Sequence, residues 1–372
     1  MTVATIFIDS SAANADLLYT TKFLVGDPVL YIEIEGKKHL FLNALEVDRG
    51  KSDAKVDEVI CTLDYKPLLD TKKDAYLQIA DIFLKERNIT DLLVSDTFSA
   101  LYYKEFKDLG YNIEIKRAPL YTARIFKTEE EKNKIKAVMK AVDNSFAVAV
   151  QILKDSVIDG DYIRYKGELL TSEFLKRTIN IELFKNDCIC EEIIIASGNQ
   201  AIDPHNRGNG LLLANTPIIF DIFPQSMVTK YFGDETRTVI KGKATEEQKK
   251  LYNTVLKGQQ IGLEMLKPGI NGMEVHNAIN NYFISEGFVT GNIEGRMQGF
   301  FHGTGHGLGL EIHEFPRVSS AADEIMKEGY VVTVEPGLYY KDLGGVRIED
   351  TVIITKDGIE NLTFTDKFFE IE

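Results

Sequence analysis

Cysteine is scarce in this chain: three residues, Cys61, Cys188 and Cys190, among 372. An odd, low count excludes a disulfide framework and fits a reducing compartment. Cys188 and Cys190 form a Cys-x-Cys pair, but no second cysteine pair completes a zinc set, so they read as ordinary strand residues. Basic residues are in deficit, 43 Lys and Arg against 57 Asp and Glu, for a net charge of −14. An acidic surface repels phosphate backbones, which argues against a nucleic-acid partner and leaves divalent cations as possible ligands. Long apolar runs are missing too. None approaches the ~20 residues that span a bilayer. The opening MTVATIFIDSSAANADLLYT has neither a basic start nor a long apolar core, so no signal peptide and no membrane partner are expected. The expected location is the cytoplasm.

What is present is a globular composition, 44% hydrophobic and 27% charged. That is enough apolar material for sizeable cores, and the length favours two domains. Residues 1–122 read as an α/β domain. ATIFIDS has strand character, and PVLYIEIEGKKHLFLN reads as two strands joined around Gly36. DAYLQIADIFLKERN has helical spacing, DLLVSD reads as a buried strand, and SALYYKEFKDLG is a second amphipathic stretch before NIEIKRA. Strands alternating with helices suggest a layered unit.

Residues 123–372 differ in character. Thr128 and Glu131 predict a capping box opening a long helix, and Thr245 and Gln248 repeat the phrase. Each copy continues with a second helix, a Gly- and His-bearing loop, and an apolar strand holding one carboxylate. This order predicts an internal duplication, with Asp221 and Glu335 at matching positions about a pseudo-twofold axis.

Three carboxylates fall inside apolar runs: Asp221 in IIFDIF, Glu335 after VVTV and Glu349 in VRIEDTVI. An unpaired buried carboxylate costs several kcal/mol or stays protonated. Together with Asp234, in GDETRT, they make a shared cation the economical explanation. Three of the six histidines, His302, His306 and His313, lie within twelve residues, and glycines flank His306 on both sides. Those glycines let the backbone turn tightly and approach an ion or substrate. His39 and His276 sit in ordinary strand and helix contexts and read as structural. Four carboxylates and one imidazole, Asp221, Asp234, Glu335, Glu349 and His306, favour hard or borderline divalent ions such as manganese, cobalt, iron or zinc. Two ions about 3.5–4 Å apart balance that charge better than one and can present hydroxide to a carbonyl.

These residues, with the motifs GHGLGLEIHE, TVEPGLY and GVRIED in that order, resemble the pita-bread metallopeptidases. Within that family the resemblance is to the Xaa-Pro aminopeptidases and Xaa-Pro dipeptidases (prolidases), and it covers nearly the whole chain. It implies an α/β (α+β) protein: a creatinase-like N-terminal domain, then a pita-bread catalytic domain. It implies hydrolysis of the peptide bond before proline, in a small peptide with proline second, by water activated on two divalent ions, manganese first. It places Asp234 and Glu349 as bridging ligands, Asp221 on one ion, and His306 and Glu335 on the other. Glu335 also falls where the family has its acid/base, and His313 where a histidine steadies the tetrahedral intermediate. His205 and His302 match histidines lining the substrate pocket. Tyr339 and Arg347 match residues near the substrate. A homodimer is implied as well. One departure concerns the first ligand: the family has Asp-x-Gly and about eleven positions to the second ligand, whereas here Asp221-Ile222-Phe223 precedes a step of 13, from 221 to 234. The turn PQSMVTKYFG reads as a hairpin lengthened by two residues, which need not move either ligand. Phe223 is expected to bear on pocket size. The alternatives within the fold are a creatinase-type amidinohydrolase and a partner-binding module. Both lose metal ligands, and no ligand is lost here.

Overall fold

The computed structural model describes residues 2–372, which separate into two compact units, one reaching to residue 124 and the other running 125–372. The first unit runs β1 (Val3–Asp9), α1 (Ala15–Thr21), β2 (Val29–Ile34), β3 (Lys37–Leu42), α2 (Val47–Asp53), β4 (Glu58–Cys61), α3 (Ala75–Lys85), β5 (Asp91–Ser95), α4 (Ala100–Asp108) and β6 (Asn112–Lys116). The six strands form one sheet in the order β4-β3-β2-β1-β5-β6. Glu35 and Gly36 join β2 to β3 with φ of 51° and 79°, the left-handed pair that matches hairpin twist. Alternation sends Ile6 and Ile32 to one face, against Phe83 of α3 and Phe106 of α4. Phe7, Tyr31 and Leu40 go to the other, against Leu17 of α1 and Val47 of α2. His39 is buried, beside Glu58 and the ring of Phe83.

The second unit consists of two similar halves. The first half opens with α5 (Glu129–Lys154), followed by a small sheet of β7 (Val157–Asp159), β8 (Tyr162–Tyr165) and β9 (Glu168–Leu169), then α6 (Ser172–Phe184). The strands β10 (Cys188–Ile189), β11 (Ile194–Ser197), β12 (Ile218–Ile222), β13 (Gln225–Ser226) and β14 (Glu235–Lys241) complete it. The second half opens with α7 (Glu246–Met265) and α8 (Gly272–Ser285), then β15 (Gly291–Ile293), β16 (Arg296–Gln298), β17 (Gly305–Gly307) and β18 (Glu314–Val318). It ends with β19 (Val331–Val334), β20 (Gly337–Tyr340), β21 (Gly344–Arg347), β22 (Asp350–Ile354), β23 (Ile359–Asn361) and β24 (Glu370–Ile371). Both capping boxes are formed: Thr128 with Glu131 opens α5, and Thr245 with Gln248 opens α7. Each satisfies two helix-end amides that would otherwise lack partners.

In the first half, α5 and α6 pack through Val142, Phe146, Leu175 and Ile179 onto the sheet β11-β12-β14-β24. In the second, α7 and α8 pack through Leu251, Val255, Ile279 and Phe283 onto β18-β17-β19-β22-β23. A helix pair over a sheet is thus built twice, antiparallel throughout in the second half and with a parallel edge strand, β24, in the first. The long turn after β12 is more than a hairpin loop. Gln225 and Ser226 pair with Ile189 and Cys188, Gly233 N–H donates to Pro224 O, and Phe232 N–H donates to Gly309 O. The turn is closed and anchored, and β12 and β14 keep their register, with Asp221 opposite Thr236.

The glycines beside His306 have a cause other than tight turning. A Cβ at Gly305 would lie 2.0 Å from Thr333 O, and one at Gly307 would lie 2.2 Å from Phe315 O. Strand β17 is clamped between the backbones of β18 and β19, so no side chain larger than hydrogen fits. Gly305→Ala is expected to lower the Tm by roughly 5–10 °C through backbone overpacking. Differential scanning calorimetry would check this, and an unchanged Tm would contradict the clamped geometry.

Candidate metal and active site

The functional side chains converge where the two halves' sheets end. Along β14, alternation puts Thr236 and Thr238 on one face and Glu235 and Arg237 on the other. Asp221, on β12, faces the same side as Thr236. Asp234 immediately precedes β14, and Glu335 immediately follows β19. Glu349 does not sit in a continuous strand as its sequence suggests. The chain breaks at Ile348–Glu349 between β21 and β22, because Glu349 N–H is drawn off to Thr236 O and Ile348 N–H to Pro336 O.

One ligand atom each from Asp234, His306 and Glu349 lies within 4.8 Å of the others. His306 Nε2 is 3.6 Å from Asp234 Oδ2 and 3.4 Å from Glu335 Oε1. Its Nδ1 lies 3.1 Å from Gly307 O. A proton on Nδ1 leaves the Nε2 lone pair aimed into the cluster, the usual arrangement for a ligating imidazole. Asp221 stands apart from the three-residue core, its Oδ2 taking a 2.6 Å bond from Arg347 Nη2. Glu349 Oε2 accepts from Thr236 Oγ1 at 2.7 Å, whereas its Oε1 is buried with no hydrogen-bond partner among the described residues.

The electrostatics are those of a site awaiting positive charge. Burial, reinforced by neighbouring carboxylates, holds Asp234 and Glu349 well above the usual carboxylate range. Burial pushes Glu335 up to about 8, partly offset by Arg347. Burial also pushes His306 down to about 3, with help from His313, so its imidazole is neutral. Crowded acids, a neutral imidazole with a free lone pair and an orphaned carboxylate oxygen fit divalent ions well. The cysteines take no part: Cys188 is in β10, and the Cys190 backbone is bonded to Asn180.

Arg347 is a hub. Its Nε donates to Thr236 Oγ1, its Nη1 to Pro204 O and Tyr339 Oη, and its Nη2 to Asp221. Tyr339, fully buried, is not exposed to the cavity, and its hydroxyl lies 3.0 Å from His302 Nε2. His302 Nδ1 faces Gly303 O at 2.7 Å, so Nε2 accepts the tyrosine proton. Burial, then Arg347, pushes His302 down to about 3. His205, His302, His306, His313 and Arg347 line a cavity of about 750 Å³ together with Asp221, Asp234, Glu335 and Glu349. The His306 and His313 rings meet edge to face, 4.4 Å between centroids. His276, outside this cavity's lining, bonds Thr304.

Several residues that sequence reasoning passed over belong here. Thr236 bonds a carboxylate and the guanidinium at once. Arg317, opposite His306 in the β17–β18 pairing, lines the cavity with no hydrogen-bond or ion-pair partner among the described residues. Glu192, bonded to Arg207, lines the cavity too. Phe223, which the sequence had pointed to for pocket size, is also in the lining.

Comparison with known proteins agrees with this geometry. The sequence pattern of Metallopeptidase family M24 matches residues 127–356. The Xaa-Pro dipeptidase of Pyrococcus furiosus is 30% identical over 340 residues, 91% of this chain and 88% of that protein. The solved prolidase from Pyrococcus furiosus superposes with a TM-score of 0.79 at 26% identity, covering 98% of this chain and 97% of the other. A solved Xaa-Pro dipeptidase from Bacillus anthracis reaches a TM-score of 0.82 at 23% identity, covering 100% and 95%. The chain belongs to metallopeptidase family M24. It has the pita-bread fold preceded by an α/β domain, and it is a metal-dependent peptidase. Among the described residues no helix is long and apolar enough to cross a membrane.

Proposed function

We propose that the protein is an Xaa-Pro dipeptidase, with Asp221, Asp234, His306, Glu335 and Glu349 holding two divalent ions. The observation that carries the metal reading is the buried cluster of crowded acids around a neutral His306, with Glu349 Oε1 unpartnered. Asp234 and Glu349 are assigned as the bridges. The oxygen-rich set favours manganese over softer metals. Bound there, the ions would supply Lewis acidity and lower the pKa of the attacking water.

The chain's own groups do the rest. Glu335, buried with its Oε1 3.4 Å from His306 Nε2, takes a proton from the water and returns it to the leaving proline nitrogen. His313, a partly buried imidazole held below its usual range first by burial and then by Arg317, donates to the carbonyl oxygen as it gains charge. His302 and His205 form the cavity wall around the substrate. Tyr339 fixes the His302 tautomer, and Arg347 positions Asp221 and is not free to grip a substrate. Of the three cavity guanidiniums, Arg347 is bonded to Asp221 and Arg207 to Glu192, which leaves Arg317 as the group that fits the carboxylate of a dipeptide's proline. Residues 1–122 are assigned as the creatinase-like domain, the assembly as a homodimer and the location as the cytoplasm. Supporting the last are three cysteines kept as thiols, two of them buried.

The test uses metal-stripped protein with manganese restored, assayed on Ala-Pro, Ala-Pro amide and Ala-Pro-Gly. Metal-dependent cleavage of Ala-Pro in strong preference to the other two is expected. Arg317→Met should raise KM for Ala-Pro about 10–100-fold, the worth of one or two bonds to a charged group, with kcat little changed. Equal cleavage of Ala-Pro-Gly would make the enzyme an aminopeptidase. No cleavage of any would end the Xaa-Pro reading.

A further inference from the structure

The face of β14 that points away from the cavity carries a second set of buried charges. Arg237 is 2% exposed and Asp350 fully buried. Arg237 Nη2 donates to Asp350 Oδ1 at 2.9 Å and to Thr365 O at 2.9 Å. Its Nη1 donates to Thr236 O and to Glu349 O. The other Asp350 oxygen accepts from Lys367 Nζ and Asn361 Nδ2. Glu235 lies 3.5 Å from Arg237 Nε. Asp350 is answered by both Arg237 and Lys367, and burial pushes Glu235 up to about 8, so this network calls for no bound cation.

Its bonds end on the cavity ligands. Asp234 lies in the first half of the catalytic unit and Glu349 in the second, and no local element joins them. Five hydrogen bonds cross between segments 234–237 and 349–351. Glu349 N–H donates to Thr236 O, and Thr236 Oγ1 donates to Glu349 Oε2. Thr351 Oγ1 donates to Asp234 O at 2.7 Å. Arg237 supplies the fourth and fifth, gripping the carbonyl of Glu349 and the side chain of Asp350 with one planar fork. Glu349 sits where β21 breaks from β22, so its backbone has no regular strand pairing to hold it. A guanidinium delivers several donors in fixed geometry, which a lysine ammonium cannot.

We propose that Arg237 is a positioning residue that clasps the Asp234 and Glu349 segments together from behind the site, setting the spacing of the two carboxylates read above as bridging ligands. It touches neither substrate nor ion and acts through the Glu349 main chain. The inference rests on the metal-site reading but not on the choice of substrate.

Manganese binding by isothermal titration calorimetry, with no peptide present, tests it. Arg237→Lys should weaken manganese binding about 10–100-fold, the range for losing a ligand's supporting bonds. Val142→Ala, a core change on α5, serves as a stability control: it should lower the Tm with the manganese Kd within twofold of wild type. Arg237→Lys binding manganese as wild type does, or losing affinity only as much as a control of equal Tm, would overturn the positioning role. Should Arg237→Lys fail to fold, Asp350→Asn decides, because it leaves Arg237 in place but removes the charge that anchors it. A Kd at least threefold higher supports the clasp, and an unchanged Kd overturns it. A wild-type protein that binds manganese yet cleaves no Xaa-Pro peptide would leave this inference standing and remove the substrate assignment. One that binds no manganese overturns both.

Discussion

Glu349→Ala should lower kcat/KM for Ala-Pro by on the order of 10³-fold or more, because it removes a carboxylate assigned to both ions. The same change should not lower the Tm of the metal-free protein. Glu349 is one of several acids crowded into one buried space, and each raises its neighbours. Deleting one relieves like-charge repulsion and burial cost together. Thr236 Oγ1 loses an acceptor but still accepts from Arg347 Nε at 3.3 Å. Activity and metal-free stability are therefore expected to move in opposite directions. Steady-state kinetics and a melt in chelator would check the two halves of the expectation. A Tm fall of several degrees in chelator would mean that Glu349 holds the fold as well as the site.

Metal removal is expected to have the second large effect, and to make stability depend on pH. A carboxylate raised from its ordinary value of 4.5 to about 8, as Glu335 is, binds more protons folded than unfolded. Its protonated form is accommodated below the ordinary value, and stability is lost as pH rises through the folded value. Asp234 and Glu349 shift in the same direction. The chelated protein should therefore melt at progressively lower temperature between about pH 5 and pH 8. The loaded protein should show little of this slope, since the ions take the place of the protons. Saturating manganese at a thousandfold its Kd stabilises by about 4 kcal/mol, or roughly 10 °C in Tm. Binding at pH 7 should release at least about one proton, detectable as a buffer-dependent heat. A chelated protein whose Tm rose from pH 6 to pH 8 would contradict the burial of these acids.

The acids of the buried cluster stood out in the sequence because a carboxylate inside IIFDIF or after VVTV violates the alternation of an ordinary strand. The capping phrases at Thr128 and Thr245 were legible because the signal spans four residues. What escaped was non-local. Glu349 reads as mid-strand, since nothing in VRIEDTVI reveals that its amide pairs with Thr236, more than a hundred positions earlier. The turn after Phe223 reads as a plain hairpin because its partner strand, at Cys188 and Ile189, lies far upstream. Arg317 and Arg237 are unremarked as letters: an arginine in FPRV or ETRTV is ordinary until the fold places one in the cavity and the other behind it. The glycines around His306 were noticed for the right position and a different reason, since the close backbones of β18 and β19 explain them.

The pairing of β24 with β14 also bears on how the chain folds. Ile240 meets Glu370, and Lys241 Nζ bonds Glu372 O across 131 residues of sequence. The edge of the first half's sheet is closed by the last strand of the second half. Until then β14 presents an open edge of unpaired amides and carbonyls, a template for wrong partners. Contacts of such long range are slow to form, because loop-closure entropy must be overcome first. Completion of the first half's sheet is therefore tied to completion of the second half, the half that also carries Glu349.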